Sequence, residues 1–180
     1  MGTVRGAAPV KMFAGLLASD VSMFEKVLPF LEEKFGEIDS ESPVIDFSKY
    51  TSFYDREMGS GIKRKLVSFK ELADPMSLAD AKLITNGIES VFADASTGCR
   101  RINIDPGYIA LSKLVLASVK ERPHRIYIGK GIFAEITLQY RGKSFRPWEW
   151  SYEDYASDEY VSYLNRVRES YALQLKAAGI

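Results

Sequence analysis

Apolar residues follow two periods along the chain, and the switches between them predict the elements. Lys11–Ala18 is a short, nearly continuous apolar run, which suits a buried strand. Behind it Phe24, Val27, Leu28, Leu31 and Phe35 recur at helical spacing, with Ser22 and Glu25 as a capping box and Gly36 at the stop. Pro29 interrupts that pattern and predicts a kink or a later helix start. Pro43 to Phe69 reads as strands, with Gly59-Ser-Gly61 turning Thr51–Glu57 into Ile62–Phe69. Ser77 opens a second helix whose buried stripe is Leu78, Ala81, Ile84, Ile88 and Val91. Gly98 ends it.

Arg100–Asp105 alternates cleanly, and Asp105-Pro106-Gly107 predicts its stop. Lys113–Val119, His124–Ile128 and Ile132–Tyr140 follow as a meander, with turns at Arg122-Pro123, Gly129-Lys130-Gly131 and Arg141-Gly142. Pro147–Tyr155 is an aromatic loop. Ser157 caps a last helix, with Tyr160, Val161, Leu164, Val167, Tyr171 and Leu175 on its apolar side. The predicted class is α+β: a largely antiparallel sheet with about three helices mainly on one face. Its first part is split-βαβ-like, followed by a β-meander and a C-terminal helix. Neither repeats nor linkers divide residues 1–180, so one domain is expected, with 1–10 as a loose arm.

Composition narrows the function classes. The chain has 180 residues, 46% hydrophobic and 27% charged, which excludes global disorder and a disulfide scaffold. Lys+Arg and Asp+Glu are both 24, so nothing draws the chain to nucleic acid as a whole. No stretch approaches a membrane span, and the short apolar run at Met12–Ala18 reads as a strand rather than a secretion signal. The lone Cys99 fits a reducing cytoplasm. With His124 as the only histidine, a Cys/His zinc site cannot be assembled.

Alternation also sorts the polar residues. Arg101, Asn103 and Asp105 oppose Ile102 and Ile104; Arg125 and Tyr127 oppose Ile126 and Ile128; Glu135, Thr137 and Gln139 oppose Ala134, Ile136 and Leu138. The open face of the sheet would then carry a polar set. Arginines there could take phosphate or carboxylate, and Asp105 and Glu135 could hold a metal ion or move a proton. A plainly solvated face is the other reading. Asp105, Glu135 and His124 are the catalytic candidates, with Asp105 and Glu135 also the metal candidates and no cofactor assigned. Gly142-Lys143-Ser144 resembles the end of a P-loop, but Thr137 stands where the first glycine belongs and a hairpin is predicted there. Lys63-Arg64-Lys65 splits between the faces of a strand and reads as a solvated edge. Trp148 and Trp150 could stack a base or sugar, or plug a small core.

Several phrases together resemble one family. They are Tyr54-Asp-Arg-Glu-Met-Gly59, Lys82-Leu-Ile-Thr-Asn-Gly-Ile-Glu89, Asn103-Ile-Asp-Pro-Gly-Tyr108, Lys113-Leu-Val-Leu-Ala-Ser118, His124-Arg-Ile-Tyr127 and Gly131-Ile-Phe-Ala-Glu-Ile-Thr-Leu138. Their order is similar to that of the prokaryotic family catalogued as domain of unknown function 4416, from about Lys11 to the last helix. Some of its members carry a GTP-binding label, although the P-loop such a label suggests is missing here. The resemblance adds Glu57 and Asn86 to the candidate ligand-binding set of Arg101, Asn103, Arg125 and Tyr127. The leading expectation is a small-molecule site, phosphate-bearing or nucleotide-like ligands included, on the open sheet face. The alternative is an interaction module without catalytic activity.

Overall fold

The computed structural model describes residues 2–4 and 6–180. In chain order these form β1 (Val10–Ala18), α1 (Ser22–Phe35), β2 (Ile38–Glu41), β3 (Ile45–Asp46), α2 (Asp55–Met58) and β4 (Lys63–Ala73). Then come α3 (Leu78–Val91), β5 (Asn103–Ala110), β6 (Lys113–Ser118), β7 (Ile126–Gly129), β8 (Ile132–Arg141), β9 (Ser144–Pro147) and α4 (Asp158–Ala177). The strands make one sheet in the order β2-β4-β1-β5-β6-β8-β7, with β3 beside β4 and β9 beside β8. Every pairing is antiparallel, so the fold is α+β. Of the expected arm, Met1 and Arg5 lie outside the described residues, and β1 already begins at Val10.

β1 reads as unbroken apolar sequence because both of its faces are covered. Met12, Ala14, Leu16 and Ala18 face α1 and α3, in a core shared with Phe24, Leu31, Leu78, Ile88, Ile102 and Ile104. Phe13 faces the other way, into a second core with Leu66, Ile109, Leu116, Tyr155 and the inner side of α4. On α4 that side is Tyr160, Tyr163, Leu164, Val167, Tyr171 and Leu175. Each such buried side chain contributes roughly 1.5–3 kcal/mol before chain entropy is counted. Two long helices therefore lie on one face as expected, and the third crosses the face expected to stay open. Only the part of that face beyond α4 remains uncovered.

Several local expectations change. Pro29 sits inside an uninterrupted α1, on its exposed side, where water can serve the carbonyl that proline leaves unpaired. Ser22 does not cap α1; the Asp20 carboxylate accepts the Ser22 N–H at 2.9 Å instead. Thr51–Glu57 is not a strand but a turn leading into α2. Val91, expected in the buried stripe of α3, is 67% exposed at the end of that helix. Lys63-Arg64-Lys65 belongs to an internal strand, and Arg64 is only 4% exposed.

The most consequential change is at β5. The strand starts at Asn103 and runs through Asp105-Pro106-Gly107 rather than stopping there. Residues 103–109 pair with β1, whereas pairing with β6 begins only at Gly107 opposite Leu116. Pro106, which has no N–H to offer, stands at this fork. Gly107 is required just past it: a Cβ there would meet the Val115 carbonyl oxygen at 2.4 Å and the Phe13 ring at 2.6 Å. Between β5 and the end of β6 the sheet splits, and a cavity opens into the split.

Candidate functional site

β5 loses its second neighbour at Ile104, and two side chains of α3 take the place of that strand. The Ile104 N–H donates to Glu89 Oε1 at 2.6 Å, and Lys82 Nζ donates to the Ile104 carbonyl at 2.9 Å. Both backbone polar groups of Ile104 are thereby satisfied. Lys82 reaches on through the split to Asp105 Oδ1 at 3.3 Å, so an α3 side chain contributes to the chemistry of the opposite face.

Gly107, Leu116 and Glu135 are aligned across β5, β6 and β8, and Asp105 lies two residues before Gly107. The two acids therefore share a face, as the alternation predicts. Both line a cavity of about 710 Å³. Asp105 also accepts from Asn103 Nδ2 at 2.7 Å and lies 3.8 Å from Arg64 Nη2. Burial opposes its charge, but Lys82 and then Arg64 outweigh burial and hold its pKa below the ordinary carboxylate value. Glu135 accepts from Arg125 Nε at 2.6 Å and from Thr137 Oγ1 at 3.1 Å, with His124 Nε2 at 3.3 Å.

Arg64 forms the floor. Its guanidinium lies 5.0 Å from the ring centres of both Phe47 and Tyr155. Nη1 is 3.1 Å from Asp154 Oδ2, while Nε and the Tyr155 hydroxyl have no hydrogen-bond partner among the described residues. Burial raises the Asp154 pKa, with Arg64 pulling against it. A wall of rings comes from the 47–54 segment and from Tyr152. Burial pushes the Tyr54 hydroxyl up to about 12, so that ring stays uncharged at neutral pH. Arg100 braces the segment, giving Nε and Nη2 to the two oxygens of Glu57 at 2.7 Å each and Nη1 to Asn103 Oδ1 at 2.6 Å.

Of the residues singled out in the sequence, Asn86, Asn103, Asp105, Arg125 and Glu135 line the cavity. His124 stands behind Glu135, its ring stacked on Trp150, which stacks in turn on Trp148. Glu57 serves the site through Arg100. Arg101 does not belong to it: it precedes β5, is exposed, and its nearest acid is Asp20 at 4.0 Å. Tyr127 is 60% exposed on the edge strand β7 and meets Phe133. Arg125 lies in the turn before β7 rather than on a strand. Gly142-Lys143 is the β8–β9 hairpin turn and not part of the cavity.

Sequence reasoning missed Arg64, Lys82, Arg100, Asp154 and the tyrosines. A signal existed for some of them. Lys82 and Glu89 fall on the buried stripe of α3, four residues after Leu78 and one after Ile88, where a charge must find a partner. Arg64 stands two residues before Leu66 on the inward side of β4. Among the described residues no group of three or more His, Cys, Asp or Glu side chains is placed to hold a metal ion. Asp105 and Glu135 are each engaged by cations instead.

These features define an antiparallel α+β sheet protein with a charged, aromatic-walled cavity at a strand fork. The chain belongs to the family described as domain of unknown function (DUF4416), whose model matches residues 8–171. No curated protein and no solved structure matches it. Among the described residues, no helix is long and apolar enough to cross a membrane.

Proposed function

We propose that the cavity binds a small anionic organic ligand with a flat ring, of the phosphate-bearing or nucleotide-like class. The observation that carries this reading is the lining itself. Six basic and four acidic side chains share it with the rings of Phe47, Tyr50, Phe53, Tyr54, Tyr152 and Tyr155. Glu57 and Glu89 pair with Arg100 and Lys82 from just outside the lining, so the cations count here as directed donors rather than as a net positive field. A volume of about 710 Å³ falls in the range of ligand pockets and accommodates a mononucleotide. Rings supply stacking area, and arginines supply directed donors for an anion. Asp105, Asp154 and Glu135 are ion-paired, which suits orientation of a ligand better than binding of a metal ion.

Calorimetry against ribonucleoside monophosphates, ribose phosphate and inorganic phosphate tests the reading. At least one nucleoside monophosphate binds, and more tightly than ribose phosphate. Tyr152→Ala weakens it by roughly tenfold, a stacking contribution of ~1–3 kcal/mol. Absence of binding by every compound overturns the reading.

A further inference from the structure

The positive charge of the cavity is unevenly placed. Its four inner cations each have an acid: Arg64 has Asp154, Lys82 has Asp105, Arg100 has Glu57 and Arg125 has Glu135. The remaining two, Lys120 and Arg122, form no ion pair among the described residues. Both are exposed, on the loop between β6 and β7 at the rim. The exposed acid on the lining is Glu153. Lys120 Nζ stands 4.7 Å from the centre of the Phe53 ring, which is 65% exposed on the facing 47–54 segment. The rim thus pairs an exposed ring with two cations that have no ion pair among the described residues, while the inner cations are all paired and the floor is aromatic and polar.

A ligand with one charged end and one flat uncharged end fits this gradient in one direction. We infer that the ligand enters ring first and leaves its anionic group at the mouth, on Lys120 and Arg122. Placing the anion inside would set it against Asp105, Asp154 and Glu135, in a low-dielectric floor whose cations are already paired. At the mouth it is half-solvated and meets two exposed cations that give up no ion pair. Because the anionic end faces solvent, a longer group on that side is tolerated. The ligand class is accordingly a ring-bearing phosphate ester in which further phosphates or an ester-linked extension project outward. This inference rests on the function proposed above but specifies its polarity and the residues that set it.

The test uses the full chain and the nucleoside monophosphate that binds best, with its nucleoside and its diphosphate. Wild-type protein prefers the monophosphate over the nucleoside, and added salt erodes that preference. The diphosphate binds about as well as the monophosphate. Lys120→Ala/Arg122→Ala, both on the surface, keeps nucleoside affinity and loses the preference by about tenfold or more. A double variant that keeps the preference, or a diphosphate that is excluded, places the anion inside and overturns the inference while the binding reading stands. Loss of nucleoside affinity in the double variant assigns these cations to the ring end and overturns it as well. If neither nucleoside nor monophosphate binds the wild type, the binding reading itself fails.

Discussion

Lys11 and Arg64 are both buried cations on the same side of the sheet, near opposite ends of it, and they are treated differently. Lys11 is completely enclosed and fully served: it donates to Asp39, to Gln174 Oε1 at 3.0 Å and to the Lys70 carbonyl at 3.5 Å. Its partner Asp39 is held in turn by Ser68 Oγ at 2.7 Å. Gln174 belongs to α4, so this cation ties the last helix to β1 and β4. Arg64 lies beyond the end of α4, between two rings, with Nε unpartnered among the described residues and an acid on each side. Burial of a charge therefore does not mark a function here. The candidate site is set apart by incomplete hydrogen bonding beside an open volume, where the fold ends its cover of the sheet.

The comparison predicts unequal responses to removal of each charge. Arg64→Leu leaves Asp105 and Asp154 facing each other with Lys82 alone to offset them. It should cost about 3–5 kcal/mol in denaturant unfolding, as for loss of one partner of a buried pair. Lys11→Met should cost less, about 2 kcal/mol, because Asp39 remains partly solvated and keeps Ser68. Equal losses would show that the two cations are structurally equivalent and that the cavity adds nothing to the burden on Arg64.

A smaller effect is expected with pH. The Asp105 pKa is lower in the folded state than in the unfolded chain, so its ionised form contributes stability above the unfolded carboxylate value. That contribution is lost as pH falls through the folded value. Stability of Asp105→Asn should therefore decline less steeply than wild type on the acid side of about pH 4. A parallel decline in the two proteins would remove Asp105 from the ion-pair network. The smallest effect belongs to Arg101→Ala. It should stay within about 0.5 kcal/mol of wild type and leave ligand titrations unchanged, since Arg101 is exposed and outside the cavity. Weakened ligand binding would return Arg101 to the site.

Alternation alone placed Asn103, Asp105 and Glu135 on one surface, because the two-residue period of a strand is a local property and one face of each strand was marked by isoleucines. The capping of α4 by Ser157 was legible for the same reason: its hydroxyl accepts from the Tyr160 N–H three residues away. The continuation of β5 through Pro106 was not legible. A proline signals a stop unless the neighbouring strand diverges beside it, and where β6 leaves β5 is decided by long-range pairing.

The chain by itself determined the class of fold, the apolar face of β5 and three of the polar groups that share the cavity, but not the faces of β8, where a bulge turns Leu138 to the side of Glu135. Tertiary structure decided that α4 covers only part of its face, that β5 and β6 part at Pro106, and that Lys82 reaches through the opening. It also decided that Arg100 rather than Arg101 meets Asn103. The reason is one of range. Faces and caps depend on neighbours within a few residues. A cavity is the space left between elements distant in sequence, and its charges are set by whichever side chains those elements bring together.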